Sequence, residues 1–468
     1  MNSPQCRKGN EKNHSEPSAE DPALLERDLF LVPHEGLFVL YRPISRLCAL
    51  VDSNVVTDIR DLLAGEKAKD SSPALKRLDR EGFFHLPVEA EFTATEEAAV
   101  DPEAPFRPHE VTLDITGECN LRCLYCYGYG GEKPQQMSDL CARAAVDLCI
   151  GNCEEDRRGF ELNFHGSGEP TQHFQLMTEL VGYARQKTSE KNLRLVTSVA
   201  TNGVMSEDKA RWIASYIDAI SLSMDGDAEA QNRQRPTVRG GDSFAAVRRT
   251  ADFWNRQGKR FNLRLTITRL NVERLQDICV NLAREFPQAS INVEPMTICG
   301  RAHQSPELAP PPDIFAERLV ETYRALSGSG SRVYYSGMRG FSRSHRFCSA
   351  STPAFSVMSD GSVTACFSYS SHEPIRNLFV YGSWNACDGC FVFDRERIAA
   401  LRGLTMSNDP YCQTCFAKYH CIGDCPSIRE YRLLDDKRFE EVFDVDFLKN
   451  RRCQINRTVL KLLLLQFL

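Results

Sequence analysis

The spacing of apolar residues changes character twice along the chain. Between Leu29 and Asp52 the apolar positions come in short runs, Leu29–Pro33, Leu37–Arg42 and Arg46–Asp52, broken by His-Glu-Gly and Pro-Ile-Ser. β-prone runs separated by turn formers predict three strands. Ser53–Ala64 and Ser72–Glu81 then read as helices, the second stopping at Gly82. From Val111 the pattern becomes an alternation. Val111–Thr116, Phe160–His165, Leu193–Ala200, Ile217–Met224, Asn262–Thr268 and Ser290–Glu294 are apolar, β-branched strand candidates. Helical stretches fall between them at Ser138–Cys153, His173–Lys187, Ser206–Tyr216, Ser243–Gln257 and Val272–Phe286. Such alternation requires a parallel sheet, because each helix carries the chain back to start the next strand on the same side. Beyond about residue 340 the periodicity fades into short segments.

Six βα repeats without a dinucleotide-binding fingerprint predict an α/β fold, a partial (β/α)6 barrel of the TIM type. The domain plan is a disordered leader over 1–22, a small winged-helix-like unit over 23–90, a linker over 91–108, the barrel over 109–339, and a cysteine-rich region over 340–468. The leader is rich in Asn, Ser, Glu, Lys and Pro, and the linker is acidic and rich in Ala and Pro, so neither can bury enough apolar surface to fold alone.

Charge and composition narrow the function classes. With 57 basic and 63 acidic residues in 468, the net charge of −6 argues against a broad nucleic-acid-binding face. No apolar run approaches the length of a membrane span, and Met1–Asp21 lacks the apolar centre of a secretory signal. The expectation is a cytoplasmic protein with neither nucleic acid nor membrane as partner. Against that background, 19 cysteines need an explanation other than disulfides.

Their spacing supplies one. Cys119-Asn-Leu-Arg-Cys123-Leu-Tyr125-Cys126 follows the first barrel strand, at the end of a (β/α) barrel where chemistry is done. Three thiolates leave a tetrahedral zinc site one ligand short, whereas a four-iron cluster held by three would keep one iron open. A second set runs Cys348, Gly361 and Cys366, then Cys412, Cys415, Cys421 and Cys425 at intervals of two, five and three residues, then Cys453. A zinc ribbon competes for this set, since C-x2-C opens many structural zinc sites. Cys387 and Cys390 form a further CxxC between the two halves; Cys6, Cys48, Cys141, Cys149, Cys153, Cys279 and Cys299 read as ordinary thiols.

The first motif, with Tyr125 before its last cysteine, resembles the signature of radical S-adenosylmethionine (radical SAM) enzymes. The run from Cys348 to Cys453 is similar to the seven-cysteine pattern of the SPASM extension on peptide- and protein-modifying members. The resemblance implies that Cys119, Cys123 and Cys126 hold a catalytic [4Fe–4S] cluster whose fourth iron is chelated by S-adenosylmethionine. It implies two auxiliary [4Fe–4S] clusters, one on Cys412, Cys415, Cys421 and Cys453 and the other on Cys348, Cys366 and Cys425. The fourth ligand of the latter stays open between Cys387, Cys390 and none. Gly168-Glu169-Pro170 resembles the motif that binds the methionine amine, with Ser167 standing where the family has glycine. By the same resemblance Tyr125, Asn202, Ser223 and Asp225 line the cofactor site, and Arg235 meets the methionine carboxylate.

The resemblance further implies reductive cleavage of S-adenosylmethionine to a 5′-deoxyadenosyl radical that abstracts hydrogen from a residue of a ribosomally made precursor peptide. A thioether or carbon–carbon crosslink, or a related modification, would follow. The leading unit resembles the leader-binding element of such maturases, and a reductase, flavodoxin or ferredoxin would supply electrons. A sulfatase-maturing enzyme that makes formylglycine is the alternative, and a metal-stabilised binding protein without catalysis is a second. Strand-end carboxylates such as Glu294 are candidate proton acceptors.

Overall fold

A computed structural model describes residues 22–26, 28–85, 101, 103–132, 134–340, 344–367, 378–431 and 445–468. The expected leader, apart from Pro22, and the expected linker over 91–100 lie outside these residues. The chain divides into two compact units: one is Met1–Val88 with Thr414–Phe416 and Leu464–Leu468, the other Glu89–Gln413 with Ala417–Leu463.

In the first unit four strands run antiparallel in chain order, β1 (Ala23–Glu26), β2 (Leu29–His34), β3 (Leu37–Arg42) and β4 (Leu47–Val51). Glu35 and Gly36 both take positive φ, the geometry of a two-residue hairpin whose twist matches its strands. Two helices follow, Ser53–Leu63 and Pro73–Arg80. Asp52 caps the first by accepting from the Asn54 and Val55 N–H groups, and Ser72 caps the second through Leu75. Leu29, Leu31, Leu40, Val51, Val56, Ile59, Leu75, Leu78 and Phe83 form one core. The strand β1 was not expected from sequence. Its four residues, Ala-Leu-Leu-Glu, are too few to carry a period of two, and pairing with β2 defines it.

The second unit is built on an eleven-stranded sheet. Strands β5 (Glu110–Leu113), β6 (Phe160–Phe164), β7 (Leu195–Thr201), β8 (Ala219–Ser223), β9 (Asn262–Ile267), β10 (Ser290–Pro295) and β11 (Arg332–Tyr334) lie parallel in that order. On its other side β5 pairs in parallel with β12 (Ser356–Val357), and β13 (Ser362–Thr364), β14 (Val380–Asn385) and β15 (Cys390–Phe393) continue antiparallel. Since β11 and β15 end the order, the described strands form an open sheet rather than a closed barrel. All six expected strands are present, each shifted by a few residues at most. The short β11 and the helix Ala228–Gln234 are additions.

Helices over Asp139–Asp156, Phe174–Glu190, Glu207–Tyr216, Phe244–Arg256 and Leu275–Glu285 return the chain between strands. Their apolar faces meet strand residues such as Leu113, Leu162, Leu222, Leu265 and Val293, all fully buried. Trp254 is fully buried and donates its indole N–H to the Ala210 carbonyl at 2.9 Å, satisfying the ring's polar atom. Cys149 and Cys153 pack against the sheet and donate to backbone carbonyls of Glu110 and Gly159. No described helix is long and apolar enough to cross a membrane.

Because the small unit has its own core, Leu40→Ala should lower the stability of that unit by about 2–5 kcal/mol and leave the unfolding of the large unit unmoved. Denaturant titration followed by separate probes in each unit checks this; a common shift of both transitions would count against independent cores.

Candidate active site

After β5 the chain runs from Asp114 to Glu132 as a loop that packs on the carboxyl ends of the parallel strands. Close approach leaves no room for side chains at two glycines. A Cβ on Gly168 would lie 2.2 Å from the Thr116 carbonyl, and one on Gly130 would lie 2.7 Å from the Ser167 carbonyl. The Glu169 N–H donates to Glu118 O at 2.8 Å. On the far side the loop pairs with the segment 234–238: Arg122 N–H to Pro236 O, Leu124 N–H to Gln234 O, and Val238 N–H to Asn120 O.

Cys119, Cys123 and Cys126 are all carried by this loop, and none is in a disulfide. Each of Cys119 and Cys123 lies within charge–charge reach of the other thiols of the motif. Cys119 Sγ accepts from the Leu121 N–H at 3.4 Å and the Asn202 side-chain amide at 3.7 Å; Cys126 Sγ accepts from the Gly130 N–H at 3.3 Å. Donors aimed at sulfur suit thiolates rather than thiols. Burial nevertheless pushes the Cys119 thiol up to about 11 and the Cys123 thiol up to about 12. A cationic iron–sulfur group is the species that would compensate such anions, so this donor set fits the cluster the motif implies.

Tyr125 points into a buried polar set. Its hydroxyl donates to Asp225 Oδ2 at 2.5 Å and accepts from Arg235 Nη1 at 2.8 Å. Asp225 also accepts from the Gln234 amide at 2.8 Å and the Thr266 N–H at 3.0 Å. Burial raises the Asp225 carboxyl, against the pull of Arg235. Arg235 is 6% exposed, and its Nε has no hydrogen-bond partner among the described residues. A buried guanidinium with an unused donor fits the carboxylate expected there. Glu169 is engaged on both oxygens: Oε1 accepts from Thr201 Oγ1 and the Thr171 N–H, Oε2 from the Asn202 N–H at 2.6 Å. It therefore fastens the end of β6 to the end of β7. Ser223 sits half-buried at the last residue of β8, and Pro170 starts a short 3-10 turn.

Several residues that the sequence analysis passed over hold this loop. Arg301, largely buried, donates to Cys123 O at 2.8 Å and Gly130 O at 3.2 Å and pairs with Glu132 at 2.7 Å. Its own N–H donates to Cys126 O at 2.9 Å. Tyr127 donates to Gly166 O at 2.6 Å and lies 3.2 Å from His165 Nε2, and burial takes the His165 imidazole down to about 4. Asp114 accepts from Ser167 Oγ at 2.6 Å; burial pushes its carboxyl up to about 7. No sequence motif flags Arg301, which lies far from the loop in the chain and meets it only through the last barrel strand. Glu294, a candidate proton acceptor by sequence, instead accepts from Ser336 and pairs with Arg452 at 3.3 Å, a bracing role.

Among the C-terminal cysteines, Cys348 lies within charge–charge reach of Cys366 and Cys425. Cys348 precedes a 3-10 turn at Ser349–Ser351, Cys366 follows β13, and Cys425 follows a turn in which Ile422, Gly423 and Asp424 all take positive φ. Asp424 is held there by Arg452 at 2.9 Å and Asn456 at 2.9 Å. Cys412 lies on the short helix Pro410–Gln413, Cys421 ends the helix Lys418–Cys421, and Cys453 lies in the helix Val445–Leu464. Cys415 belongs to the other compact unit. Cys387 and Cys390 are exposed at the turn between β14 and β15.

Comparison with known proteins gives the class. Residues 113–280, about a third of the chain, match the model of the radical SAM superfamily, so the chain contains a radical SAM domain. That domain implies a [4Fe–4S] cluster and S-adenosylmethionine as cofactors. Among particular relatives, the cysteine-type anaerobic sulfatase-maturating enzyme of Clostridium perfringens is 28% identical over 32% of this chain and 41% of its own length. The mycofactocin maturase MftC of Mycobacterium ulcerans is 30% identical over 48% of this chain and 56% of its own. The matches thus span between two fifths and three fifths of those relatives. Of solved structures, native anSMEcpe with bound AdoMet and a Cp18Cys peptide superposes with a TM-score of 0.55 at 20% identity, covering 75% of this chain and 99% of that one. Streptococcus suis SuiB gives 0.51 at 12%, covering 88% and 97%. At these identities the likeness is one of fold.

Two outcomes follow from the loop's supports. Arg301→Ala should cost about 2–4 kcal/mol by leaving carbonyls of the cysteine loop without donors, and Arg301→Lys should recover less than half, because an ammonium cannot fork; denaturant unfolding reads both. The Asp114 carboxyl has a raised folded value, so its contribution to stability is present in full below about pH 4, the ordinary Asp range, and is lost as pH rises through about 7. The melting temperature of Asp114→Asn relative to the unmutated chain should therefore rise across that window. A constant difference would refute the assignment.

Proposed function

We propose that this protein is a radical SAM maturase of the SPASM type that acts on a ribosomally made peptide. The observation that carries the reading is the CxxxCxxC loop at the end of β5, with N–H donors on the sulfurs of Cys119 and Cys126, beside the buried Tyr125–Asp225–Arg235 set. When bound, the [4Fe–4S] cluster and S-adenosylmethionine supply a 5′-deoxyadenosyl radical able to take hydrogen from an unactivated carbon. Cys119, Cys123 and Cys126 would hold the cluster, and the unpartnered Nε of Arg235 would receive the methionine carboxylate. Gly168-Glu169-Pro170, Asn202 and Ser223 would line the same pocket. The chain's own work is to position the carbon and exclude water.

The second set of cysteines would hold two auxiliary clusters and define an extension over 340–468. Such clusters suit a modification that ends in one-electron oxidation, as a thioether or carbon–carbon crosslink does. The four-stranded sheet with two helices over 23–85 supports a peptide-binding role: β1 and β4 each pair on one side only among the described residues, and an extended peptide can add as a further strand to such an edge. On this reading the unit would serve as the winged-helix-like, leader-binding element expected from sequence. A reductase, flavodoxin or ferredoxin would deliver the electrons, in the cytoplasm.

A second reading, formylglycine formation in a protein substrate, is favoured by the match to the sulfatase-maturating relatives. Anaerobic co-expression with short peptides encoded beside the gene, followed by mass spectrometry, separates the two. A mass loss of hydrogen from the peptide, abolished by Cys123→Ala together with 5′-deoxyadenosine production, is expected. Turnover on a sulfatase-derived Cys or Ser peptide, with the short peptides untouched, would favour the second reading; 5′-deoxyadenosine formation by Cys123→Ala would sink both.

A further inference from the structure

The turn Gly166-Ser167-Gly168 carries serine where the family it resembles has glycine, and the added hydroxyl has a definite partner. Asp114, one residue past β5, is 2% exposed and accepts from the Ser167 hydroxyl on Oδ2 at 2.6 Å. Its carboxyl fills the space beside the turn: a Cβ on Gly166 would lie 2.2 Å from Asp114 Cγ and Oδ1. The cysteine loop presses on the same serine. A Cβ on Gly128 would lie 2.5 Å from Ser167 Cα, and one on Gly130 would lie 2.7 Å from Ser167 O. Ser167 is therefore gripped by a strand-end carboxyl and by two glycines of the cysteine loop.

Neighbouring groups of the turn are engaged. Gly166 O accepts from the Tyr127 hydroxyl at 2.6 Å, the Glu169 N–H donates to Glu118 O at 2.8 Å, and both Glu169 carboxylate oxygens are taken. The Ser167 carbonyl accepts no hydrogen bond from the described residues. It lies on the thiol side of the loop, because the place of a Gly130 Cβ, 2.7 Å from Ser167 O, is 3.2 Å from Cys119 Cβ and 3.6 Å from Cys126 Sγ. A fixed carbonyl without a donor, close to two thiols of the motif, suits an amine, which brings N–H donors.

We propose that Asp114 and Ser167 are a positioning pair: Asp114 holds the Ser167 hydroxyl, and this fixes the turn so that the Ser167 carbonyl faces the cysteine loop and accepts from the methionine amine of S-adenosylmethionine. The inference rests on the reading of this loop as the cofactor site. It goes beyond that reading by assigning Asp114, which no motif marks, and by making the serine a working part of the turn. Neither side chain touches the cofactor; both act through one peptide plane. Glycine at 167 would leave that plane freer to turn, since without a Cβ it takes either sign of φ with similar ease.

The test uses the full chain, loaded anaerobically with iron and sulfide. Ser167→Ala keeps the Cβ and removes the hydroxyl. It should weaken S-adenosylmethionine binding, read by equilibrium dialysis, about tenfold, the order expected for one hydrogen bond. It should also change the amine nitrogen coupling in ENDOR spectra of the reduced cluster. Asp114→Asn, which still offers the hydroxyl an oxygen, should bind more tightly than Ser167→Ala. Adding Asp114→Asn to Ser167→Ala should weaken binding no further, because both changes act on one bond. Unchanged affinity and coupling in Ser167→Ala, with only the melting temperature lowered, would make the pair a brace and overturn the proposal; additive losses in the double variant would overturn it as well. Failure of the unmutated, iron-loaded chain to bind S-adenosylmethionine would instead overturn the proposed function, and the pair with it.

Discussion

Everything at the candidate site depends on how a loop with little structure of its own is held against the ends of a parallel sheet. The Arg301 guanidinium supplies the central constraint, because one planar fork engages two carbonyls and a carboxylate of that loop at once. Isolated carbonyls at the end of a sheet would otherwise be buried without donors, at a cost of about 1–3 kcal/mol each. With Arg301 in place, Gly130 and Gly168 can approach their neighbours more closely than any side chain allows. The loop's three cysteines are then fixed to the backbone that carries them.

Around that loop, polar groups are buried in connected sets rather than singly. Glu169 joins two strand ends, Asp225 gathers Tyr125, Gln234 and a backbone N–H, and Glu294 meets Arg452 and Ser336. Each set has its hydrogen bonds largely met, which is what permits charge in a low-dielectric interior. Two buried atoms of these sets, Arg235 Nε beside the cysteine loop and Thr171 Oγ1 beside Glu169, have no hydrogen-bond partner among the described residues.

The barrel's strands were legible because each places fully buried apolar residues at alternate positions, as in Phe160-Glu-Leu162-Asn-Phe164; β5 to β10 all fall close to their expected positions. The strands β1 and β11 were not legible, being short and defined by their partners. Closure into a full barrel was also beyond sequence, since it depends on whether the outermost strands meet. At the candidate site, Cys119, Cys123, Cys126, Asn202 and Asp225 could be singled out from local motifs after strands, and Arg235 from Gln-Arg-Pro, here the end of the helix Ala228–Gln234. Arg301, Asp114 and Tyr127 were not, since an arginine or aspartate near a strand end has no local pattern that says what it touches.

The sequence by itself determined the chemistry: cysteine intervals in one loop are a property of neighbouring residues, and a three-thiol loop after a barrel strand points to one class of cofactor. Tertiary structure decided which distant residues serve that chemistry. Glu294 is taken up as a brace and Arg301 becomes the clamp. The reason is physical. Contacts between residues far apart in the chain depend on where the strands and helices bring them, and no local period records that.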